Sequence, residues 1–228
     1  MSKLIDLINI NKYYKLREDK LHALKDINLT IEQGEFLMIM GKSGSGKTTL
    51  LNLLGFLDRF DEGNYIFNGN DVTNFNENQK SDLRNSYMGF IFQQFHLIDS
   101  LTIGQNVELP LLYKEKGTIS KKEKNRRVEK YLDIVGLLNK KKQTPSELSG
   151  GQQQRIAIAR ALINDPYVIF ADEPTGALDS ETGEDIMNIL KILNEEKKTI
   201  IMVTHDSDLT KYANKVIYIK DGLITKVD

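Results

Sequence analysis

A short apolar run followed by a glycine-rich segment constrains the fold of this chain more than any other feature. The run, Phe36–Met40, predicts a buried strand. The next eight residues, Gly41–Thr48, read GKSGSGKT and fit the phosphate-loop pattern G-x-x-x-x-G-K-[ST]. Residues Thr49–Leu54 continue with helical spacing, so the loop joins a strand to a helix. In that context the glycines let backbone N–H groups turn toward a phosphate, and the helix adds its positive end.

The last side chains of this loop define the expected ligand. Lys47 is expected to reach the β- and γ-phosphates of a nucleotide, and the Thr48 hydroxyl is expected to ligate Mg²⁺. A glycine-rich turn that binds nothing is the simpler alternative. The position of the loop between a predicted strand and a predicted helix argues against it. The chain is therefore predicted to bind a nucleoside triphosphate.

The composition limits which other classes of protein are possible. The 228 residues allow one well-packed domain with room for a subdomain. The net charge of −1, from 31 basic and 32 acidic residues, gives no basic field for nucleic acid. Cysteine is absent, which excludes disulfides and thiolate metal sites and suits a reducing cytosol. No apolar run approaches the roughly 18 residues of a membrane span, so another polypeptide is expected to supply any spans.

The N-terminal third predicts a small antiparallel β patch beside the nucleotide strand. Residues 3–10, 26–32 and 65–67 show the alternation, or the short apolar run between glycines, that is typical of strands. Tyr13 and Tyr14 are adjacent, so in a strand their side chains face opposite sides. One of them could stack on an adenine ring, but the spacing alone favours packing of both in the core.

Three buried apolar runs in the last third of the chain predict a parallel sheet. They are Tyr167–Ala171, Ile200–Val203 and Val216–Ile219, with a predicted helix, Asp179–Leu193, between the first two. Each run ends in polar residues. Such sheets bind their ligands just beyond the carboxyl ends of the strands, so these polar residues are candidates for a site.

Two predicted helices occupy the middle of the chain. The basic run Ser120–Lys142 has apolar residues at helical spacing, and its charges are interpreted as a solvated face rather than a binding surface. Leu148–Gln152 (LSGGQ) opens the second helix, with Ser149 as its predicted N-cap. The positive end of that helix would make a second anion site that has no lysine of its own.

Hydrolysis of a triphosphate needs a metal and a group that positions and deprotonates water. Asp172, at the end of a predicted strand, is the expected Mg²⁺ partner, and Glu173 is the expected general base. An acidic pair that only caps the turn at Pro174 is the alternative. His205, at the next strand end, could hold the γ-phosphate or the water, and Gln93 could supply an amide to Mg²⁺ and water.

Taken together, these segments resemble the ATPase domain of the ABC family. The motifs cover essentially the whole chain in the order of the family: the Walker A loop Gly41–Thr48, Gln93, the LSGGQ signature Leu148–Gln152, the ADEPTGALD segment Ala171–Asp179, and His205. The resemblance implies an α/β fold with a RecA-like P-loop core, a small antiparallel β subdomain and a helical signature subdomain. In this single domain, 1–228, the core is expected at about 1–92 and 164–228, and the helical subdomain at about 93–163.

The resemblance also implies roles for individual residues. It matches Tyr14 to the aromatic side chain that stacks on adenine, and Gln93 to the Q-loop glutamine. The residues expected to bind ATP are Tyr14, Gly41, Lys42, Ser43, Gly44, Ser45, Gly46, Lys47, Thr48 and Thr49. The expected catalytic residues are Lys47, Gln93, Glu173 and His205, and the expected Mg²⁺ ligands are Thr48, Gln93 and Asp172.

ABC ATPases pair head to tail, and this pairing gives the second anion site a ligand. Each signature contacts the γ-phosphate held by the partner's Walker A loop, so the expected trans contacts are Ser149, Gly150, Gly151, Gln152 and Asp179. ATP closes such a dimer, and hydrolysis lets it reopen. The expected partners are a second ATPase subunit of identical sequence and an integral membrane permease, with no nucleic acid. The permease would hold the chain peripherally at the cytoplasmic face of the cell membrane.

Within the family, Leu101-Thr102 and Asn106–Tyr113 resemble the branch that serves lipoprotein release, macrolide efflux and antimicrobial-peptide resistance. The leading hypothesis is therefore the ATP-hydrolysing subunit of a membrane transporter or of a membrane-anchored mechanochemical complex, with a peptide, lipoprotein or drug as the candidate cargo of export. The alternative is a soluble ABC ATPase acting on nucleic acid or the ribosome. The DNA-acting type usually carries coiled coils or cysteine-rich modules and the ribosomal type carries two such domains, and neither feature is found in this sequence.

Overall fold

The computed structural model describes residues 2–16, 19–113 and 119–228, which form ten strands and six α-helices. The strands are β1 (Lys3–Leu16), β2 (Asp19–Glu32), β3 (Phe36–Met40), β4 (Glu62–Phe67), β5 (Asn70–Asp71), β6 (Met88–Phe92), β7 (Val168–Asp172), β8 (Thr199–Val203), β9 (Lys215–Lys220) and β10 (Leu223–Val227). The helices are α1 (Lys47–Leu54), α2 (Glu77–Tyr87), α3 (Ile103–Glu108), α4 (Lys121–Ile134), α5 (Gly150–Leu162) and α6 (Ser180–Glu195).

The chain divides into two compact units. The first contains Met1–Ser81 and Leu193–Asp228, and the second contains Asp82–Ile192. These divisions differ from the expected boundaries at 93 and 163, because β6, β7 and most of α6 belong to the second unit. The expected helical subdomain, about 93–163, stays a prediction, and its described residues contain α3, α4 and α5 but no strand.

The first unit combines an antiparallel and a parallel group of strands. The antiparallel strands follow the order β2-β1-β4-β5, which confirms the predicted β patch. In the other group β3 pairs in parallel with both β8 and β9, and β10 lies antiparallel to β9 at the edge. Every residue of β3 and β8 is buried, as continuous apolar runs in a parallel sheet require.

The second unit packs helices around a short parallel pair, β6 and β7. Helix α5 packs on β6, and α3 and α4 pack on α5. Close approach of α5 to β6 depends on Gly89, because a Cβ there would lie 2.5 Å from the carbonyl oxygen of Ala161. None of the helices in the described part of the chain has the length and apolar character that a bilayer span requires.

Candidate functional site

The phosphate loop lies in the first unit, between the end of β3 and the start of α1. Gly46 is the N-cap of α1 and has a φ of 109°, in the left-handed region that favours glycine. Gly41 admits no side chain, because a Cβ there would lie 2.3 Å from the carbonyl oxygen of Ile219. Because the N-cap is a glycine, it has no side chain that could accept hydrogen bonds from the first amides of α1. The loop is therefore shaped to leave backbone donors for an anion.

Lys47 is buried within this loop, with 7% of its surface exposed, and its Nζ donates to the carbonyl oxygen of Lys42 at 3.0 Å. A buried ammonium needs acceptors or negative charge around it, and the carbonyl supplies one acceptor for its three donors. Ser45 Oγ is buried without a hydrogen-bond partner among the described residues. Both groups fit a polyphosphate, because its oxygens accept hydrogen bonds and carry the compensating charge. Thr48 is exposed, as a metal ligand beside a nucleotide requires.

Tyr14 is held by a charged pair that the sequence did not reveal. Its hydroxyl donates to Asp58 Oδ2 at 2.6 Å, and Lys12 Nζ donates to Asp58 Oδ1 at 2.8 Å. The same Nζ lies 4.8 Å from the centroid of the Tyr14 ring, a cation–π distance. Burial raises the pKa of the Tyr14 phenol, and the hydrogen bond to Asp58 raises it further. Burial opposes ionisation of Asp58, but the hydrogen bonds from Lys12 and Tyr14 outweigh it and lower the Asp58 pKa.

The two adjacent tyrosines do face different surroundings, but neither is packed in the core. Tyr13 stacks on His22, with ring centroids 4.2 Å apart, and both tyrosines are half-buried. The prediction that both tyrosines pack in the core, which their spacing alone favoured, is therefore wrong. Both side chains keep exposed surface because β1 and β2 form a two-stranded extension with irregular register near these residues.

His205 belongs to the first unit and follows β8, as predicted. Thr204 is buried, His205 is exposed, and Asp206 caps the 3₁₀ helix Ser207–Tyr212 by accepting from the amide of Asp208 at 2.9 Å. The cap fixes the backbone just after the histidine. The imidazole therefore extends from a well-defined strand end.

The predicted acidic pair and the predicted glutamine lie together in the second unit. Asp172 is paired with Phe92 in the ladder of β7 and β6, so Gln93 and Glu173 leave the sheet at the same end. The amide of Gly176 donates to the carbonyl of Glu173 at 3.0 Å. A Cβ on Gly176 would lie 2.9 Å from Gln93 Nε2, so the glutamine side chain packs on the turn after Glu173. Glu173 itself has a φ of 45°, uncommon for a residue other than glycine and frequent at functional sites.

The signature loop is closed by its own hydrogen bonds. Ser149 caps α5 by accepting from the amide of Gln152 at 3.4 Å, and Gln152 Oε1 accepts from the amide of Ser149 at 3.2 Å. This capping box confirms the predicted N-cap. A Cβ on Gly151 would lie 2.1 Å from Thr182 Cγ2, so a side chain there would displace the threonine.

Asp179 lies next to the signature through the same threonine. Its carboxylate accepts from the Thr182 amide at 2.9 Å and from the Thr182 hydroxyl at 2.8 Å, and these bonds lower the Asp179 pKa. Four of the residues expected to act in trans, Ser149, Gly151, Gln152 and Asp179, therefore belong to one cluster in the second unit. A Cβ on Gly150 would lie 3.6 Å from Leu178 Cδ2 and from Phe95 Cζ, so these two side chains border the glycine in the same unit.

The predicted Mg²⁺ ligands fit that ion by their chemistry. Thr48, Gln93 and Asp172 are hard oxygen donors, the type that Mg²⁺ prefers. Within residues 2–16, 19–113 and 119–228, no group of three or more His, Cys, Asp or Glu side chains could hold a metal ion. Nucleotide sites do not need such a group, because Mg²⁺ there uses one or two carboxylates together with phosphate oxygens and water.

Sequence comparison identifies the family. The family model described as ABC transporter matches residues 24–176. An uncharacterized ABC transporter ATP-binding protein of Methanocaldococcus jannaschii is 51% identical over 224 residues, which is 98% of this chain and 99% of that protein. The macrolide export ATP-binding/permease protein MacB of Chlorobium phaeobacteroides is 48% identical over 225 residues. That match covers 98% of this chain but 34% of MacB, so the chain spans about a third of that relative.

Solved structures agree with this result. A dimeric post-hydrolysis structure of the ATP-binding cassette MJ0796, bound to ADP and Pi, aligns with a TM-score of 0.90. It is 45% identical and covers 99% of this chain and 98% of that chain. A second dimeric structure of MJ0796 aligns equally well, at 46% identity.

The chain belongs to the ABC transporter family. It is an ATP-binding subunit of the transporter type and an ATPase, which confirms the predicted ATP-hydrolysing transporter subunit over a nucleic-acid or ribosomal role. The predicted fold class is also confirmed. The MacB relatives agree with the predicted branch.

Proposed function

We propose that this chain hydrolyses MgATP as one half of a head-to-tail dimer and drives a separate membrane permease from the cytoplasmic face of the membrane. The observation that carries the proposal is the phosphate loop with its buried ammonium, Lys47, at the start of α1. Lys47 binds the β- and γ-phosphates, together with the amides of Gly41–Thr49. Tyr14 stacks on the adenine.

In this proposal four side chains outside the phosphate loop act in the cleavage of ATP. Asp172, Gln93 and the Thr48 hydroxyl would be the ligands of Mg²⁺, and the bound ion would neutralise charge on the β- and γ-phosphates. Glu173 accepts a proton from the attacking water, and His205 holds that water or the γ-phosphate. Support comes from the shared turn of Gln93, Glu173 and Gly176, which keeps an amide and a carboxylate close together.

In the proposed dimer the signature of each subunit binds the nucleotide held by the other subunit. Ser149, Gly150, Gly151 and Gln152 contact the γ-phosphate bound by a second, identical copy, and Asp179 lies at the dimer contact. The dimeric MJ0796 structures support this assembly because that cassette is 45% identical to this chain along nearly its full length. Loss of the γ-phosphate on hydrolysis then releases the two subunits.

Replacement of Glu173 by Gln tests the proposal. The amide keeps size and hydrogen bonding but cannot accept a proton, so turnover should fall roughly 10²- to 10⁴-fold. ATP should still bind, and the variant should accumulate as an ATP-bound dimer on size-exclusion chromatography with MgATP. Glu184→Gln, the same exchange at an exposed position of α6, is the control and should leave turnover unchanged. Wild-type turnover in Glu173→Gln would show that Glu173 is not the base.

The permease partner is proposed from the relatives. The MacB proteins carry an ATP-binding segment and a permease in one polypeptide, and this chain matches a third of their length. We propose a permease as the partner of this chain as well, in a separate polypeptide that holds the subunit at the cytoplasmic membrane face. We propose export of a peptide, lipoprotein or drug, in line with the macrolide export function named for those relatives.

The segment after Gln93 is the proposed docking site for the permease. Ile98 is 45% exposed, while its backbone is fixed by the side chain of buried Asn106, which binds the Ile98 amide at 2.7 Å and carbonyl at 3.1 Å. An apolar side chain on a fixed backbone suits the groove for a short cytoplasmic helix. Leu97, beside it, is half-buried.

Substitution of Ile98 by Asp should therefore separate the chain from its permease. Basal ATPase of the isolated subunit should stay near wild type, while a membrane-spanning partner identified by mass spectrometry in the wild-type complex should be lost. Leu223→Asp is the matched control, since Leu223 is also 45% exposed but lies on β10. Retention of the membrane partner by Ile98→Asp would contradict the proposed docking site.

A further inference from the structure

The helix that begins at the signature carries a buried glutamine with no assigned task. Gln154 lies one turn into α5 and is completely buried, with 0% exposure. Its Nε2 donates to the carbonyl oxygen of Pro174 at 2.6 Å and to that of Phe92 at 3.2 Å. Phe92 directly precedes Gln93, and Pro174 directly follows Glu173. One side-chain amide therefore joins the segments that carry two of the proposed catalytic residues.

The energetics of this amide indicate a positional role rather than simple packing. Both donors of Nε2 are used, but Oε1 is buried without a partner among the residues that the structure describes. An unpartnered buried acceptor destabilises the fold, and an apolar side chain of the same size would remove it. The same apolar side chain would leave the carbonyls of Phe92 and Pro174 without this donor. The fold thus tolerates an orphaned oxygen in order to keep a donor between the two segments.

Glu173 needs such a restraint more than most residues. Its φ of 45° is an uncommon conformation for a residue with a side chain, and it persists only when the surroundings fix it. The hydrogen bond to the next residue, Pro174, is one such restraint. On the other side of the pair, the bond to Phe92 fixes the backbone from which Gln93 extends.

A second donor on the same helix supports this interpretation. Arg160 NH2 donates to the carbonyl of Phe95 at 2.7 Å, and NH1 donates to the carbonyl of His96. Burial lowers the pKa of this guanidinium, as expected for a charge enclosed by the protein. Helix α5 therefore holds the chain on both sides of Gln93, through Gln154 before it and Arg160 after it.

We infer that Gln154 is a positioning residue for ATP hydrolysis. By bridging the carbonyls of Phe92 and Pro174, it sets Gln93 and Glu173 at a fixed separation and ties both to the helix that starts at the signature. The inference rests on the proposed function, in which Glu173 accepts the proton and Gln93 positions Mg²⁺ and water. In this role Gln154 acts through the two backbone segments and takes no part in the chemical step.

The test replaces Gln154 by Met, which keeps the length of the side chain but removes both donors. Displacement of a catalytic group by about 1 Å can lower the rate 10²-fold, so kcat should fall on the order of 10- to 100-fold. KM and the Kd for MgATP should stay within about twofold of wild type, since no phosphate contact is removed. A purely structural defect would instead lower the folded fraction and leave kcat per folded molecule unchanged.

Asn194 provides a matched control. Its Nδ2 also donates to two carbonyls, those of Gly34 and Lys198, each at 2.9 Å. Neither acceptor adjoins a residue that is proposed to bind or cleave ATP. Asn194→Leu, which keeps the size of the side chain but removes both donors, should therefore keep kcat within about threefold of wild type. An equal loss of kcat in both variants would overturn the inference.

Gln154→Glu is the conservative variant and covers a failure of Gln154→Met to fold. Burial raises a carboxyl pKa, so the protonated acid keeps one donor and should recover part of kcat. Wild-type kcat in Gln154→Met, or in Gln154→Glu where the former does not fold, would overturn the inference. If Gln154→Met loses kcat while Glu173→Gln keeps it, the assignment of Glu173 as the base fails instead. Absence of MgATP turnover in the wild-type chain would count against the proposed function alone.

Discussion

Helices α1 and α5 both begin in glycine-rich loops, yet the hydrogen-bonding groups at their N-termini are arranged differently. At α1 the N-cap is Gly46, which has no side chain, and the first helical residue is the buried Lys47. At α5 the N-cap is Ser149, whose hydroxyl and amide are both engaged with Gln152 in a capping box. The first loop therefore has backbone donors and a positive charge available for a ligand. In the second loop the hydrogen-bonding groups of Ser149 are already paired with Gln152.

This difference explains how one chain can hold two anion sites of unequal strength. A loop with an ammonium and uncapped amides binds a polyphosphate without help from a partner. A self-capped loop gains little from an isolated phosphate, because it must exchange internal hydrogen bonds for new ones. It becomes useful when another surface has already bound the phosphate. The comparison predicts that damage to the second loop affects assembly, and damage to the first affects affinity.

The largest expected effect comes from Ser149→Arg on the Glu173→Gln background. The arginine obstructs only the trans contact, so the ATP-bound dimer should be lost completely on size-exclusion chromatography with MgATP. Affinity of the monomer for ATP should remain within about twofold, because the first loop is intact.

Ser120→Arg is the control for loss of a helix cap, since Ser120 caps α4 by accepting from the amide of Glu123 at 3.2 Å. It should leave the ATP-bound dimer in place. A dimer that survives Ser149→Arg would contradict the trans role of the signature.

The next effect in size is on affinity, in Lys47→Ala. The variant removes the one full charge aimed at the β- and γ-phosphates, so ATP binding should weaken tenfold or more, about 1.4 kcal/mol at least. Isothermal titration calorimetry on the folded monomer measures it.

Lys42→Ala removes the same charge from an exposed side chain of the same loop and should weaken binding by less than about threefold. Unchanged affinity in a folded Lys47→Ala variant would overturn the assignment of the loop.

The smallest effect is expected at the base, in Tyr14→Leu. Stacking of an aromatic ring on a base is worth roughly 1–3 kcal/mol, so ATP affinity should fall about fivefold or more. Binding of inorganic tripolyphosphate, which has no base, should not change.

Tyr13→Leu, which removes the ring stacked on His22, is the control and should leave ATP affinity unchanged. If Tyr13→Leu weakens ATP binding and Tyr14→Leu does not, the assignment of Tyr14 is wrong.

The sequence anticipated the elements that depend on local pattern. The run Phe36–Met40 is the strand β3 residue for residue, and the predicted helix start at Ser149 is the observed N-cap of α5. Strands β7, β8 and β9 each agree with their predicted runs to within a few residues. Strand β10 and helices α2 and α3 were not predicted. Strand β10 is largely exposed and helix α2 is strongly polar, so these two elements have no clear apolar period.

What the sequence determined by itself is the chemistry of the chain. Gly41–Thr48, Leu148–Gln152 and Ala171–Asp179 are continuous motifs, and backbone conformation and side-chain type act within each of them at short range. The order of these motifs was sufficient to predict the family and the ATPase activity.

Only the tertiary structure decided which distant residues support those motifs. Asp58 holds Tyr14 from 44 positions away, and Gln154 reaches Phe92 and Pro174 from 62 and 20 positions away. Lys12 is a basic residue in a strand and Gln154 a polar residue in a helix, and both types usually face solvent. Their burial follows from pairing and packing across the fold, which no local pattern of residues encodes.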